Sequence, residues 1–148
     1  MRKADTVPNV AASAALALLA ILPAGCVAED WKAQAQSVAE GYLQAVKAND
    51  LDRAITFFAS HYPEIRSPQG LKTDIQIITG RLGELRDYRL TAARWRRDFI
   101  PPETGTLVTL EYEVRYAKHQ AHEIFMILKP FGRGEYKIVG HRIASEGF

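Results

Sequence analysis

The stretch TLVTLEYEVRY, residues 106–116, decides the fold of this 148-residue chain. From Val108 to Tyr116 its apolar and polar residues alternate one by one, which is typical of a strand with one buried and one solvent-exposed face. The apolar members are Val108, Leu110, Tyr112, Val114 and Tyr116. The alternation predicts a sheet whose core face carries Tyr112 and Tyr116. Glu111 and Glu113 then lie on the outer face.

Period-two patterns continue through the C-terminal half of the chain. We predict strands over about residues 88–99, 106–118, 121–129 and 135–144. The connections are a proline-containing loop, a tight turn at His119 and Gln120, and a turn with two glycines at 132–134. Because connections this short join adjacent antiparallel strands, the pattern predicts a four-stranded antiparallel meander.

The third predicted strand is apolar on both faces, since residues 124–128 read IFMIL. We place the even-numbered residues 124–128 on the core face, which puts Glu123, Phe125 and Ile127 on the outer face. This orientation leaves no carboxylate of the central hairpin in the core. It also predicts an outward apolar surface, formed by Phe125 and Ile127 opposite Met126, on which a homodimer would form.

Three helices are predicted before the strands. The first spans about 30–48 with Asp30 as its N-cap, and the second begins after Asp50 and ends near residue 60. The third opens at Ser67 and Pro68, a cap residue followed by a proline suited to the first helical position. Helices followed by an antiparallel meander predict an α+β fold in which a curved sheet packs on the helices.

Several segments together resemble a family of short exported bacterial proteins. They are RLGELR at 81–86, the proline-rich loop leading to Gly105, the strand ending in Tyr116, and YKIVGHRI at 136–143. That family is a domain of unknown function within the cystatin-like and nuclear-transport-factor-like superfamily. The resemblance implies a cone-shaped α+β domain and export, and it carries no assigned reaction and no cofactor.

The first 25 residues match a secretory signal peptide. Arg2 and Lys3 precede an uncharged run of 13 residues at 10–22, and Pro23 and small residues end it. A run of this length is too short to cross the roughly 30 Å hydrocarbon layer of a bilayer as a helix. We therefore predict export to the periplasm or envelope membrane, with a signal peptide at 1–25 and a single domain at 26–148.

Cys26 is the only cysteine and follows the small-residue cluster directly. LPAGC, residues 22–26, resembles a bacterial lipobox, although Leu22 lies one place too early. We favour lipidation at Cys26, which would hold the domain on the membrane with Trp31 near the interface. The alternative is ordinary cleavage, for instance after Ala28, which would release a protein without cysteine.

The charge balance excludes a polyanionic partner. The formal net charge of +2 falls to about +1 once residues 1–25 are removed. Arg94, Arg96 and Arg97 flank Trp95, but a solvated strand face explains them better than a nucleic-acid surface. His119 and His122 are the only closely spaced histidines and have no third ligand nearby, so no metal site is predicted.

The candidate ligand-contacting residues are those predicted to line a cavity between the helices and the sheet. They are Tyr42, Trp95, Tyr112, Tyr116, His122 and His141. The same aromatic residues would also be expected in an ordinary core. His122 shares the parity of Ile124, and His141 that of Val139 and Ile143, which predicts that both histidines point inward.

The functional prediction is a non-enzymatic binding or interaction module of the cell envelope. Its partner would be an envelope protein or a small apolar ligand, with the membrane reached only through the lipid. An isomerase- or dehydratase-like enzyme using the cavity is the first alternative, and it is disfavoured because no inward carboxylate base is predicted. A homodimerising structural module is the second alternative.

Lipidation gives the first testable prediction. We expect the mature protein from its native host to begin at an acylated Cys26, and mass spectrometry of that protein measures it directly. An unacylated N-terminus located after Cys26 would contradict the prediction.

Overall fold

A computed structural model describes residues 30–60, 67–99, 101, 104–132 and 134–148. The signal segment and Cys26 lie outside these residues, so the prediction of lipidation is not tested by the fold. The elements are α1 (Trp31–Lys47), α2 (Leu51–Ile55), α3 (Pro68–Leu82), β1 (Leu85–Asp98), β2 (Gly105–Tyr116), β3 (Gln120–Pro130) and β4 (Lys137–Ser145).

Each helix begins at the residue that the sequence predicts as its cap. The Asp30 carboxylate accepts a hydrogen bond from the backbone N–H of Ala33 at 3.0 Å. Asp50 does the same at the start of α2, and the Ser67 hydroxyl at the start of α3. These bonds satisfy backbone donors that have no partner within the first helical turn.

The second helix is shorter than predicted, ending at Ile55 rather than near residue 60. The chain leaves the helix because it pairs with the last strand: Ala59 N–H donates to the carbonyl of Ile138 at 2.9 Å, and Ile138 N–H donates to Phe57 at 2.8 Å. A long-range contact therefore decides where α2 ends, and local sequence signals do not contain it.

The sheet is an antiparallel meander in the order β1-β2-β3-β4, as predicted. The first strand begins three residues earlier than expected, at Leu85. Gly83 makes the turn from α3 with a positive φ of 90°, and the Lys118 and Ala117 N–H groups donate to Leu82 and Glu84. These bonds tie the start of β1 to the β2–β3 turn.

The predicted orientation of β3 is wrong. Glu123, Phe125 and Ile127 are completely buried on the core face. The register explains this, because Glu123 lies opposite Tyr112 and Phe125 opposite Leu110, and directly paired residues share a face. The predicted outward surface for a homodimer, built on Phe125 and Ile127, is therefore absent.

A register shift changes the parity of β4. Ile127 pairs with Ile138, whereas Met126 pairs with Gly140, so Val139 is an additional residue in the strand. The bulge allows Ile138 and His141 to lie on the same face, and Val139 packs in a separate small cluster with Leu107 and Leu128. His141 therefore points inward as predicted. Val139, whose parity the prediction used, lies on the other face of the sheet.

The core lies between α1 and the concave face of the sheet. Tyr42 of α1 makes an edge contact with Phe125, with ring centroids 5.6 Å apart, and Tyr112 makes another at 5.7 Å. Leu43, Val108 and Ile127 fill the space beside these rings. In the described part of the chain, no helix is long and apolar enough to cross a membrane.

Phe125 provides a test of the corrected orientation. Phe125→Ala should lower the free energy of unfolding by about 3–5 kcal/mol, because it removes a fully buried ring. Phe131 is a control because 46% of it is exposed, and Phe131→Ala should change the same quantity by less than about 0.5 kcal/mol. Denaturant unfolding of both variants measures the difference. Equal small effects would mean that Phe125 faces outward.

Candidate functional site

A buried carboxylate joins three adjacent strands. Glu123 on β3 has no solvent exposure. Its Oε1 accepts a hydrogen bond from the Tyr116 hydroxyl of β2 at 2.6 Å, and its Oε2 lies 2.8 Å from Nε2 of His141 on β4. We call these three residues the buried triad. Each oxygen of Glu123 thus has a polar partner.

The two contacts offset the cost of burying a charge. An isolated ionised carboxylate in an apolar interior is unfavourable by many kcal/mol, and hydrogen bonding to a phenol and an imidazole reduces that penalty. An ionised Glu123 only accepts hydrogen bonds, so Nε2 of His141 then carries a hydrogen. In the neutral imidazole this leaves Nδ1 as an acceptor.

Aromatic contacts hold the imidazole of His141 in place. The ring stacks on Phe125 with a centroid distance of 4.4 Å and an interplanar angle of 10°. The ring of Tyr42 meets it edge-on at 5.4 Å. Three contacts, two aromatic and one with Glu123, therefore fix the position of the imidazole.

His141 lines a groove of about 470 Å³ between α3 and β4. Most of the wall is apolar. It comes from α3, β4 and the chain end, with further side chains from α1, β3 and the segment after α2, and its apolar members include Tyr42, Phe58, Leu71, Ile75, Ile78, Met126, Ile143 and Phe148. Asp74 and Arg142 add one acidic and one basic side chain. This is the usual composition of a small-molecule site, with apolar walls and a few polar groups.

The tyrosines near the triad remain protonated. Burial, followed by the negative charge of Glu123 and its hydrogen bond, raises the pKa of Tyr116. Burial first, and then Glu123 and Asp74, raise the pKa of Tyr42. Both phenols can therefore donate hydrogen bonds over the whole physiological pH range.

The predicted ligand-contacting residues fall in three places. Tyr42 and His141 line the groove, and Tyr116 reaches His141 through Glu123. Tyr112 is buried against Phe125, where burial and then the nearby Glu40 raise its pKa.

The last two predicted residues lie outside both the groove and the buried core. Trp95 is half exposed beside Trp31, with ring centroids 6.0 Å apart. His122 is on the outer face of the sheet, 3.4 Å from an oxygen of Glu111, so its predicted inward orientation is wrong. It shares the parity of Ile124, and the register places both residues on the face of the sheet that does not carry Glu123.

Sequence reasoning missed Glu123 and Asp74. The parity error on β3 placed Glu123 in solvent, whereas the observed register pairs it with the inward-facing Tyr112. Asp74 lies one residue before the buried Ile75 on α3, and nothing in its local sequence distinguishes it from a surface residue. Among the described residues, no group of three metal-ligating side chains is assembled.

The triad predicts a dependence of stability on pH. The unfolded chain ionises its tyrosines near the ordinary pKa of 10.0, whereas the folded chain keeps Tyr116 and Tyr42 protonated. Above about pH 10 the unfolded state thus binds fewer protons, and the free energy of unfolding falls as pH rises. Tyr116→Phe should lower that free energy by about 1–3 kcal/mol at neutral pH and make the fall above pH 10 shallower.

Tyr88→Phe is the matched control. The Tyr88 hydroxyl accepts only an exposed hydrogen bond from Gln44, at 3.3 Å, so its loss should have little effect on stability. Chemical denaturation of the three proteins at a series of pH values measures both quantities. If Tyr116→Phe and Tyr88→Phe behave alike, the phenol of Tyr116 does not support Glu123.

Comparisons with known proteins show the fold and no more. No family model and no curated protein matches the sequence. Among solved structures, an NTF-2-like protein of unknown function from Silicibacter pomeroyi DSS-3 is 14% identical with a TM-score of 0.50, over 76% of this chain and 95% of that one.

Two further structures are similar to the same degree. One, from Catenulispora acidiphila, has a TM-score of 0.52 at 7% identity and covers 78% of this chain and 91% of its own. The other, named "Putative Scytalone Dehydratase", from Novosphingobium aromaticivorans DSM 12444, has a TM-score of 0.51 at 13% identity, over 77% and 83%. This chain therefore has the α+β fold of the NTF-2-like proteins.

Proposed function

We propose that this protein is a small-molecule-binding module of the cell envelope and that its ligand lies in the groove between α3 and β4. The observation that carries the proposal is His141, which lines an otherwise mainly apolar groove and is backed by the buried Glu123. A groove of about 470 Å³ has the size of known ligand sites.

The wall chemistry indicates the kind of ligand. Leu71, Ile75 and Ile78 on α3 favour an apolar body, because burying apolar surface is the main source of affinity in such a site. His141, Asp74 and Arg142 favour a polar group at one end of that body. A small, mainly apolar molecule with a single hydrogen-bonding or charged group meets both requirements.

The location in the envelope rests on the sequence. The apolar run at 10–22 and the lipobox-like LPAGC support export and lipid attachment at Cys26. A ligand-binding domain held on the membrane would meet its ligand, or an envelope protein that delivers it, in the periplasm.

The buried triad favours a second candidate, a lyase or isomerase that acts by acid–base catalysis. His141 would accept a proton from a carbon next to a carbonyl group, and the negative charge of Glu123 would stabilise the resulting imidazolium. Tyr116 would hold Glu123 in place. The sequence disfavoured an enzyme because it predicted no inward carboxylate, and the completely buried Glu123 removes that objection. One of the structures with this fold is named as a dehydratase.

A fragment screen tests binding in the groove. Small aromatic and alicyclic ketones, carboxylates and amines would be added to the isotopically labelled protein, and binding would be followed by NMR chemical shifts. We expect shifts at Leu71, Ile78 and His141. Leu71→Arg should weaken binding at least about tenfold, because it places a charge in the apolar wall.

Gln76→Arg is the control for that variant, since Gln76 is an exposed residue of the same helix. Fragment shifts that persist in Leu71→Arg, or that occur only outside the groove, would overturn the binding proposal.

Hydrogen exchange in D₂O at the carbon next to the carbonyl group of a bound ketone distinguishes the two candidate functions. Deuterium incorporation next to the carbonyl that falls about 100-fold or more in Glu123→Gln supports the enzyme, and binding without exchange supports the module.

A further inference from the structure

We propose that the end of the domain where α1 begins binds the surface of an anionic lipid bilayer. Four aromatic residues, Trp31, Trp95, Phe99 and Phe131, form this surface, which we call the aromatic end. The proposal concerns a part of the molecule remote from the buried triad and goes beyond ligand binding in the groove.

The fold brings these residues together in two pairs. Trp31 is the first residue of α1, and its ring lies 6.0 Å from that of Trp95 on β1. Phe99 follows β1 directly and Phe131 follows β3 directly, with ring centroids 5.1 Å apart. The strand pairing places both at the same edge, because Asp98 lies opposite Gly105, and Gly105 lies opposite Pro130.

Three of the four rings are about half exposed or more, whereas Trp31 is partly buried against the core. Trp95 is 49% exposed, Phe99 72% and Phe131 46%, and they are three of the five large hydrophobic residues with high exposure in the described ranges. A cluster of exposed aromatic rings marks an interaction surface more often than chance. Tryptophan also prefers the bilayer interface, where its ring contacts lipid and its N–H contacts water.

The charge beside the rings is complementary to an anionic surface. Arg96 and Arg97 lie between Trp95 and Phe99 in the sequence, and both are exposed. The Arg96 guanidinium also bonds Asp98 at 2.8 Å, but most of its side chain still contacts solvent. Arginine beside aromatic rings at an interface attracts lipid phosphates while the rings insert among the acyl chains.

The N-terminal chain explains why the occupant is a bilayer. Only three residues separate Cys26 from Asp30, the N-cap of α1, so a fully extended link spans no more than about 14 Å. A lipid on Cys26 would bring the aromatic end to the membrane before any other part of the domain. Phe99 and Phe131 follow the ends of two strands, where their rings can insert into lipid without a partner groove.

Tryptophan fluorescence of the full chain measures this contact. The chain has only two tryptophans, Trp31 and Trp95, and both belong to the aromatic end. The protein would be added to phosphatidylcholine vesicles with and without phosphatidylglycerol, made with acyl chains brominated near the headgroup. We expect quenching and a blue shift of the emission, both larger with phosphatidylglycerol.

Three variants separate docking from simple proximity to an anchor. In a Trp31→Phe background, Trp95 alone reports, and it should still be quenched. Adding Phe99→Ser and Phe131→Ser together should reduce that quenching roughly twofold or more. Ile77→Ser is the control, because Ile77 is an equally exposed apolar residue (49%) on another surface, and it should leave the quenching unchanged. Arg97→Gln should reduce only the difference in quenching between vesicles with and without phosphatidylglycerol. Circular dichroism confirms that each variant is folded.

Two results would overturn the proposal. One is a vesicle-bound protein whose Trp95 is not quenched, or whose Trp95 is quenched equally when Phe99 and Phe131 are both replaced by serine. The other is a blue shift that grows with protein concentration in the absence of lipid, which would assign the aromatic end to contact with a second copy of the chain.

Discussion

The burial of Glu123 between Tyr116 and His141 is the interaction on which the rest of the structure depends. A carboxylate without solvent exposure is stable only if both of its oxygens are bonded, and the bonds come from the two strands on either side of β3. The register of three strands must therefore be correct at once. A slip of one residue would expose Glu123 and bury its outward neighbours instead.

The same carboxylate links stability to the groove. The imidazole that partners Glu123 also forms part of the groove wall, and its ring stacks on Phe125 at the centre of the core. Hydrogen-bonded groups in an apolar interior affect one another strongly, so a ligand that contacts His141 in the proposed site would also act on the pairing of the strands through Glu123.

The fold separates two kinds of surface. The groove is formed by α3 and the edge strand β4, and it is mainly apolar with an imidazole in its wall. The aromatic end is formed by the start of α1, by Trp95 near the end of β1 and by the residues that follow β1 and β3, and it carries exposed rings and two exposed arginines. A domain held at a membrane by one surface would keep the other accessible to a ligand.

The sequence by itself determined the helices, the strands and their order. Asp30, Asp50 and Ser67 predicted the helix starts, because capping depends on residues within one turn. The alternation from Val108 to Tyr116 predicted the buried face of β2, since the residues between its apolar members are all polar there. The short turns then required an antiparallel meander.

Only the tertiary structure decided the orientation of β3 and the composition of the candidate site. The IFMIL segment is apolar on both faces, so its own pattern did not distinguish Phe125 inward from Phe125 outward, and pairing with Leu110 settled it. The bulge at Val139 brought His141 to Glu123, and the pairing of Ala59 with Ile138 ended α2 early. These features depend on contacts between residues distant in the sequence, whereas capping and strand alternation depend on neighbours.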